Sequence, residues 1–316
     1  MPRVALTGAT GFLGLHLLPA LLERGFAVRI LARRPPPKGA WAGLPFETVH
    51  GSLADGAALQ ELVEGAAVVV HAAGLIKARS RADFLRVNRD GTAALASATR
   101  KAAPDARFLL ISSLAAREPH LSDYAFSKHA AEQAASAAFS EVPGQLAIIR
   151  PPAIYGPWDR ETLRLFRAAG RAFAPVPGKG RVAVVHAKDA ARGIAALAAS
   201  WRAGRFALAD TNPEGYPPGD LLRAAGAAMG RTPRLVPLPA PVLLPVLLAA
   251  GAAAGLWSRL TGTAQIFGPG KAREILHPDW SVRAGDLLPA EIFRPRFGLE
   301  QGFADTVAWY RRAGWL

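Results

Sequence analysis

Thr7-Gly8-Ala9-Thr10-Gly11-Phe12-Leu13-Gly14 stands between an apolar run, Val4 to Thr7, that reads as a short buried strand and a run from Gly11 to Arg24 that reads as a helix. Glycines at 8, 11 and 14 let the chain turn sharply and let its backbone come close to a ligand. N–H groups at the start of the helix can then hold an anion such as a pyrophosphate. The spacing is GxxGxxG, and Leu15-His16 after Gly14 excludes a Walker loop, which needs Lys and then Ser or Thr there.

Outward from this loop the pattern repeats. Ala27–Ala32, Val68–Ala72 and Phe108–Ser112 read as further strands, with helical stretches around Ala57–Glu64 and Asp83–Ala102. Continuous apolar strands alternating with helices predict an α/β fold, a Rossmann-type doubly wound parallel sheet with a smaller C-terminal substrate lobe. Pro19 is expected to bend or shorten the first helix. After Arg150-Pro151-Pro152 the rhythm breaks, then resumes with Val182–His186, a helix from Asp189, and Gly204–Ala209. The expected division is residues 1–150 for the nucleotide domain, with 182–210 returning to it, and 151–181 and 211–316 for the lobe.

Composition narrows the function. The chain has 316 residues, 51% hydrophobic and 20% charged, enough for a packed interior. It has no cysteine, which excludes disulfides, thiolate metal sites and a thiol nucleophile. Histidines lack metal spacing, so no metal is expected. The formal charge of +14 invites a nucleic-acid reading, but the arginines are scattered and no basic arm appears, so none is expected. An anionic membrane face stays open. Nothing before Val4 reads as an export signal, which points to the cytoplasm or the inner face of its membrane. From Leu235 to Trp257 no ionisable residue occurs; prolines 237, 239, 241 and 245 break the first half, leaving 246–257 as a buried or interfacial helix too short to span.

The second strand ends Ile30-Leu31-Ala32-Arg33-Arg34. A carboxylate there would bind the ribose hydroxyls of NAD; two guanidinium groups suit the 2′-phosphate of NADP(H). Tyr124 and Lys128, at i and i+4 in Tyr-Ala-Phe-Ser-Lys, share one helix face, where the ammonium favours phenolate and readies the phenol for proton transfer. Ser112 and Ser113 end a strand at the edge where ligands of such sheets bind.

TGATGFLG, VVHAAG ending at Gly74, VNRDGT around Asn88, ISS ending at Ser113, YAFSK, RPPAIYGP from Arg150 and VHAKDAA around Asp189 occur in an order that resembles the extended short-chain dehydrogenases/reductases. The likeness is to their epimerase and 3β-hydroxysteroid-dehydrogenase-like group, along essentially the whole chain. It implies that Tyr124 is the general acid/base, that Lys128 activates it and binds the nicotinamide ribose, and that Ser113 polarises a substrate carbonyl. It further implies a cofactor site made of Gly8, Thr10, Gly11, Phe12, Leu13, Gly14, Arg33, Arg34, Ser52, Leu53, Ala72, Ala73, Gly74, Ser112, Tyr124, Lys128, Pro151 and Ile154. Ser52 departs from the Asp usual in that family, and Leu114-Ala115-Ala116-Arg117 replaces the Tyr-Gly that often follows its serine. A homodimer through helices flanking Tyr124 is a further family expectation.

The activity expected is NADPH-dependent reduction of a ketone on a hydrophobic substrate, sterol-like or a long-chain 3-oxo lipid of the 3-ketoceramide kind. Trp158, Phe166, Phe173, Trp257 and Phe267 are candidates for its pocket, or for plain lobe core. Two alternatives stand beside it: an NDP-sugar epimerase or dehydratase holding NAD, and a non-catalytic nucleotide-binding assembly subunit. His186 reads as a structural strand-end histidine.

Overall fold

The computed structural model describes the backbone of residues 1–35, 39–171, 173–261 and 269–316, and the side chains of all of these except 254–261 and 269. Along the chain come β1 (Arg3–Thr7), α1 (Phe12–Glu23), β2 (Ala27–Ala32), β3 (Glu47–His50), α2 (Gly56–Val63), β4 (Val68–His71), α3 (Arg81–Leu85), a π-helical turn (Arg86–Asp90) and α4 (Gly91–Ala102). Then follow β5 (Arg107–Ile111), α5 (Asp123–Ala138), β6 (Leu146–Arg150), β7 (Ala153–Tyr155), α6 (Leu163–Ala169), β8 (Phe173–Pro177), β9 (Arg181–Val182), β10 (Val184–His186) and α7 (Ala187–Ala199). The chain closes with β11 (Gly204–Ala207), α8 (Pro218–Ala228), β12 (Arg234–Leu238), α9 (Ala240–Thr261), α10 (Pro269–Leu276), β13 (Asp279–Trp280) and α11 (Leu299–Arg312).

Seven strands form one sheet in the order β11-β6-β5-β4-β1-β2-β3. It is the parallel Rossmann-type sheet expected, and strand order reverses between β1 and β4, the switch point where such sheets bind ligands. Thr7 ends β1 directly opposite His71, the end of β4. Both strands are buried on both faces, as their unbroken apolar sequence requires. Beneath them Leu59, Leu62, Leu95, Phe108 and Phe139 pack one core, each side chain contributing about 1.5–3 kcal/mol by its burial.

Two compact units result. The first comprises Met1–Arg150, Ala191–Phe206 and Leu288–Phe293; the second comprises Pro151–Ala190, Ala207–Leu287 and Arg294–Leu316. In the second, three short parallel ladders, β7 with β10, β8 with β12 and β9 with β13, surround Tyr155, Phe166, Phe303 and Tyr310. Phe166 is therefore lobe core, while Phe173 stands exposed; the side chain of Trp257 and the whole of Phe267 lie outside the described residues.

Several local readings change. Pro19 does not shorten α1, which runs on to Glu23. The proline has no N–H for the Leu15 carbonyl, and the indole Nε1 of Trp41 donates to that carbonyl instead at 3.2 Å. Val182–His186 is two strands, and the helix expected at 246–257 begins at Ala240. Pro241 falls in its first turn, where N–H groups lack intrahelical partners in any case. The residues before it form β12, whose Pro237 is tolerated in a two-stranded ladder. β3 was not among the expected strands, and only Val49 of its four residues is buried. No helix among the described residues is long and apolar enough to cross a membrane.

Candidate active site

The glycine loop rests on the end of β4. Gly8 adopts φ 75°, and a Cβ on it would stand 2.5 Å from the backbone of Ala72 and Ala73. A Cβ on Gly14 would stand 2.2 Å from the Gly8 oxygen, so only glycine lets the first turn of α1 tuck under the loop. Gly11 N–H donates to the Gly8 carbonyl at 3.0 Å and closes the turn. α1 has no side-chain cap at Gly11 and no acidic residue in its first turn. The N–H groups of Phe12 and Leu13, which have no intrahelical acceptor, thus offer an anion site. These features fit a dinucleotide pyrophosphate.

A cleft of about 680 Å³ opens beside the loop. Gly8, Thr10, Arg33, Ser52, Leu53, Ala73 and Gly74 line it, seven of the residues expected from sequence. Gly11, Phe12, Leu13, Gly14 and Ala72 belong to the loop and strand end that carry that lining, whereas Arg34 is exposed and outside it. Pro151 and Ile154 fall in the second unit, Pro151 buried and Ile154 in register with Val185. Asp90 of the VNRDGT motif also lines the cleft, as do Gln60, Arg86 and Lys101, which no motif contained.

At the switch point a chain of hydrogen bonds fixes its own polarity. The Ala73 N–H donates to Thr7 Oγ1 at 3.2 Å, and Thr7 Oγ1 lies 2.7 Å from His71 Nδ1. On the other side His71 Nε2 is 3.0 Å from Thr92 Oγ1, which donates to the Asn88 carbonyl at 2.6 Å. Since the Thr92 proton is spent on Asn88, that oxygen accepts from Nε2–H; Nδ1 is then the acceptor for the Thr7 hydroxyl. His71 is therefore neutral with its proton on Nε2. Burial, with the Lys128 charge adding to it, pushes the imidazole pKa down to about 3.

The Asn88 side chain continues the network. Its Oδ1 accepts from Leu75 N–H at 2.7 Å, and its Nδ2 donates to the Leu75 carbonyl at 3.0 Å and to Ser127 Oγ at 2.9 Å. Ser127 in turn donates to the Tyr124 carbonyl at 2.7 Å. Asn88 sits in the π-helical turn, an irregularity frequent at functional sites, and it ties the loop after β4 to the start of α5. The VNRDGT motif contained it, but its role came only with the contacts.

α5 carries Tyr124, Lys128 and Glu132 at i, i+4 and i+8, on one face. Ser122 caps the helix by accepting from Ala125 N–H at 3.0 Å, which sets where that face begins. Tyr124 is half-buried, its ring 6.1 Å from that of Phe84. Lys128 is buried and donates from Nζ to the Ile111 carbonyl at 2.8 Å. A Cβ on Gly74 would lie 3.7 Å from that ammonium, so Lys128 reaches the glycine that lines the cleft. Burial lowers its pKa to about 8, against the charge of Glu132, which raises it. Ser113, two residues beyond β5, accepts from Ala115 N–H at 3.2 Å, leaving its hydroxyl proton to offer to a ligand.

Glu132 lies outside the sequence motifs, yet it organises this edge. It is 2% exposed and accepts from Ser112 Oγ at 2.5 Å, Arg150 Nε at 2.8 Å and Arg150 Nη2 at 2.6 Å. The Ser112 hydroxyl is thus committed to Glu132, and the bidentate pair joins α5 to β6. In the second unit, His186 is buried and stacked on Phe297, with ring centroids 4.1 Å apart. Lys188 N–H donates to its Nδ1 at 3.3 Å, so its proton is on Nε2, 3.3 Å from Asp305. Asp189 accepts from the N–H groups of Arg296 and Phe297 at 2.7 and 2.9 Å and holds that turn in place.

Known proteins resemble this chain in sequence and in fold. A family model described as the NAD dependent epimerase/dehydratase family matches residues 4–207. A ceramide reductase of Caulobacter vibrioides is 49% identical over 315 residues, 99% of this chain and 96% of that protein. Sterol demethylase protein B of Methylococcus capsulatus is 33% identical over 197 residues, 54% of this chain and 59% of its own. The crystal structure of gox2253 shares the fold at a TM-score of 0.78 with 22% identity, covering 100% of this chain and 99% of that one. MoeE5, solved with UDP-glucose and NAD, does so at 0.71 with 21% identity and 99% of each chain covered. A glycine loop at the switch point, the Tyr124–Lys128 helix and these relatives agree: the chain belongs to the NAD-dependent epimerase/dehydratase family and is an NAD(P)-dependent enzyme of the extended short-chain dehydrogenase/reductase class.

Proposed function

We propose that this enzyme uses NADPH to reduce a ketone on a long-chain 3-oxo lipid, a 3-ketoceramide-like precursor. The observation that carries the reading is the near-half identity to a ceramide reductase over both whole chains. The bound nicotinamide would supply the hydride. Tyr124 gives its proton to the alkoxide that forms, Ser113 holds the same oxygen, and Lys128, charged below pH about 8, keeps the phenol acidic. Asn88 positions the Tyr124 turn through Ser127. Arg33, in the cleft at the end of β2, supports NADPH over NADH because its planar fork binds a 2′-phosphate in pairs.

The test is NADPH oxidation by the purified protein with a 3-oxoceramide, alongside NADH and a panel of UDP-sugars. Turnover with NADPH and the lipid is expected, and Tyr124→Phe should abolish it while the thermal shift on adding NADPH persists. Epimerisation of a UDP-sugar with tightly retained NAD, or full complementation by Tyr124→Phe, would replace this reading by one of the two alternatives.

A further inference from the structure

The excess of basic over acidic residues falls largely in two segments, although the basic residues themselves are scattered along the chain. Residues 162–188 contain six Lys or Arg and no Asp or Glu, and residues 221–273 again contain six and none; together they account for twelve of the net +14. β8 comes from the first segment and β12 from the second, and they pair in parallel within the second unit.

Their outer faces are apolar and uncovered. Alternate residues of β8 turn Ala174 and Val176 into the core, 1% and 3% exposed, and leave Phe173 60% exposed. Across from it, β12 presents Val236, 41% exposed. α9 follows after Pro239 and buries Leu243 while leaving Val242 and Val246, one turn apart, 54% and 62% exposed. Nine large apolar side chains stand exposed among the described residues, and four of them lie on these three elements. Cations edge the same surface. Arg234 is in register with Phe173, Arg171 precedes it by two residues, and Gly178 N–H donates to the Leu238 carbonyl at 3.1 Å, which brings Lys179 to the start of α9. None of these three cations has an ion-pair partner among the described residues.

We propose that the outer face of β8, β12 and the first turns of α9 docks on an anionic lipid bilayer. Exposed Phe and Val would enter the boundary between headgroups and acyl chains, while Arg171, Lys179 and Arg234 meet lipid phosphates. A nucleic acid would use the cations but gain nothing from Val242 and Val246, and a second copy of this chain would bring the same positive charge against itself. α9 lies in the bilayer plane rather than crossing it. This surface is independent of the reductase reading.

The experiment is flotation of the full-length protein with phosphatidylglycerol or phosphatidylcholine vesicles at low salt. Wild type should bind phosphatidylglycerol at least tenfold better than phosphatidylcholine. Val242→Asp/Val246→Asp and Lys179→Ser/Arg234→Ser should each weaken that binding about tenfold or more, with an unchanged circular-dichroism spectrum and melting temperature as the control for folding. The proposal is overturned if wild type fails to float with phosphatidylglycerol or if the Val242/Val246 variant floats as well as wild type. It is equally overturned if the variants lose binding to double-stranded DNA in parallel, or if sedimentation shows a wild-type dimer that the Val242/Val246 variant loses.

Discussion

Acid should destabilise this protein through His71, and replacing that residue should remove the effect. The folded state needs a neutral imidazole, because Nδ1 accepts from Thr7 and only Nε2 carries a proton. Its pKa falls from 6.5 to about 3 on folding, chiefly through burial. A base whose folded pKa is depressed binds more protons unfolded, so stability is complete above pH 6.5 and is lost as pH falls toward 3. Applying that linkage to the two values, the cost is negligible at pH 7 and about 2 kcal/mol at pH 5, rising to about 5 kcal/mol below pH 3. Urea denaturation at pH 7 and pH 5 of wild type and His71→Gln measures it. The stability gap between the two should narrow by about 2 kcal/mol at pH 5, whereas an unchanged gap would refute the reasoning. In wild type, the 15N resonances of His71 should keep the neutral, Nε2-protonated pattern at pH 5. A titration there would show that the hydrogen-bond chain does not run as derived.

Two further variants probe the residues that flank the cleft. Glu132→Gln leaves the largely buried Arg150 without its countercharge and should cost about 3–5 kcal/mol in denaturant unfolding. Lys128 should give kcat an alkaline fall, and because Glu132 raises the Lys128 pKa the same variant should move that fall to lower pH; an unmoved limb would separate Lys128 from Glu132. Arg33→Ser should raise the KM for NADPH about ten- to hundredfold and leave that for NADH unchanged, read by steady-state kinetics; an equal effect on both would place the 2′-phosphate elsewhere.

The sequence by itself determined the β1-loop-α1 unit, the parallel sheet and the face shared by Tyr124 and Lys128. Each of these is a local matter: a strand with both sides buried must read as continuous apolar residues, and a turn that cannot hold a Cβ must read as glycine. Tertiary structure decided what depends on partners far along the chain. The Leu15 carbonyl that Pro19 frees is satisfied by Trp41, 26 residues away. Glu132 matters because β6 delivers Arg150 to it, and His71 takes its tautomer from Thr7 and Thr92 on two other elements. Likewise β12 follows from pairing with β8, since its own proline content argues against a strand. A buried polar group must find a partner somewhere, but its own sequence neighbourhood does not say where.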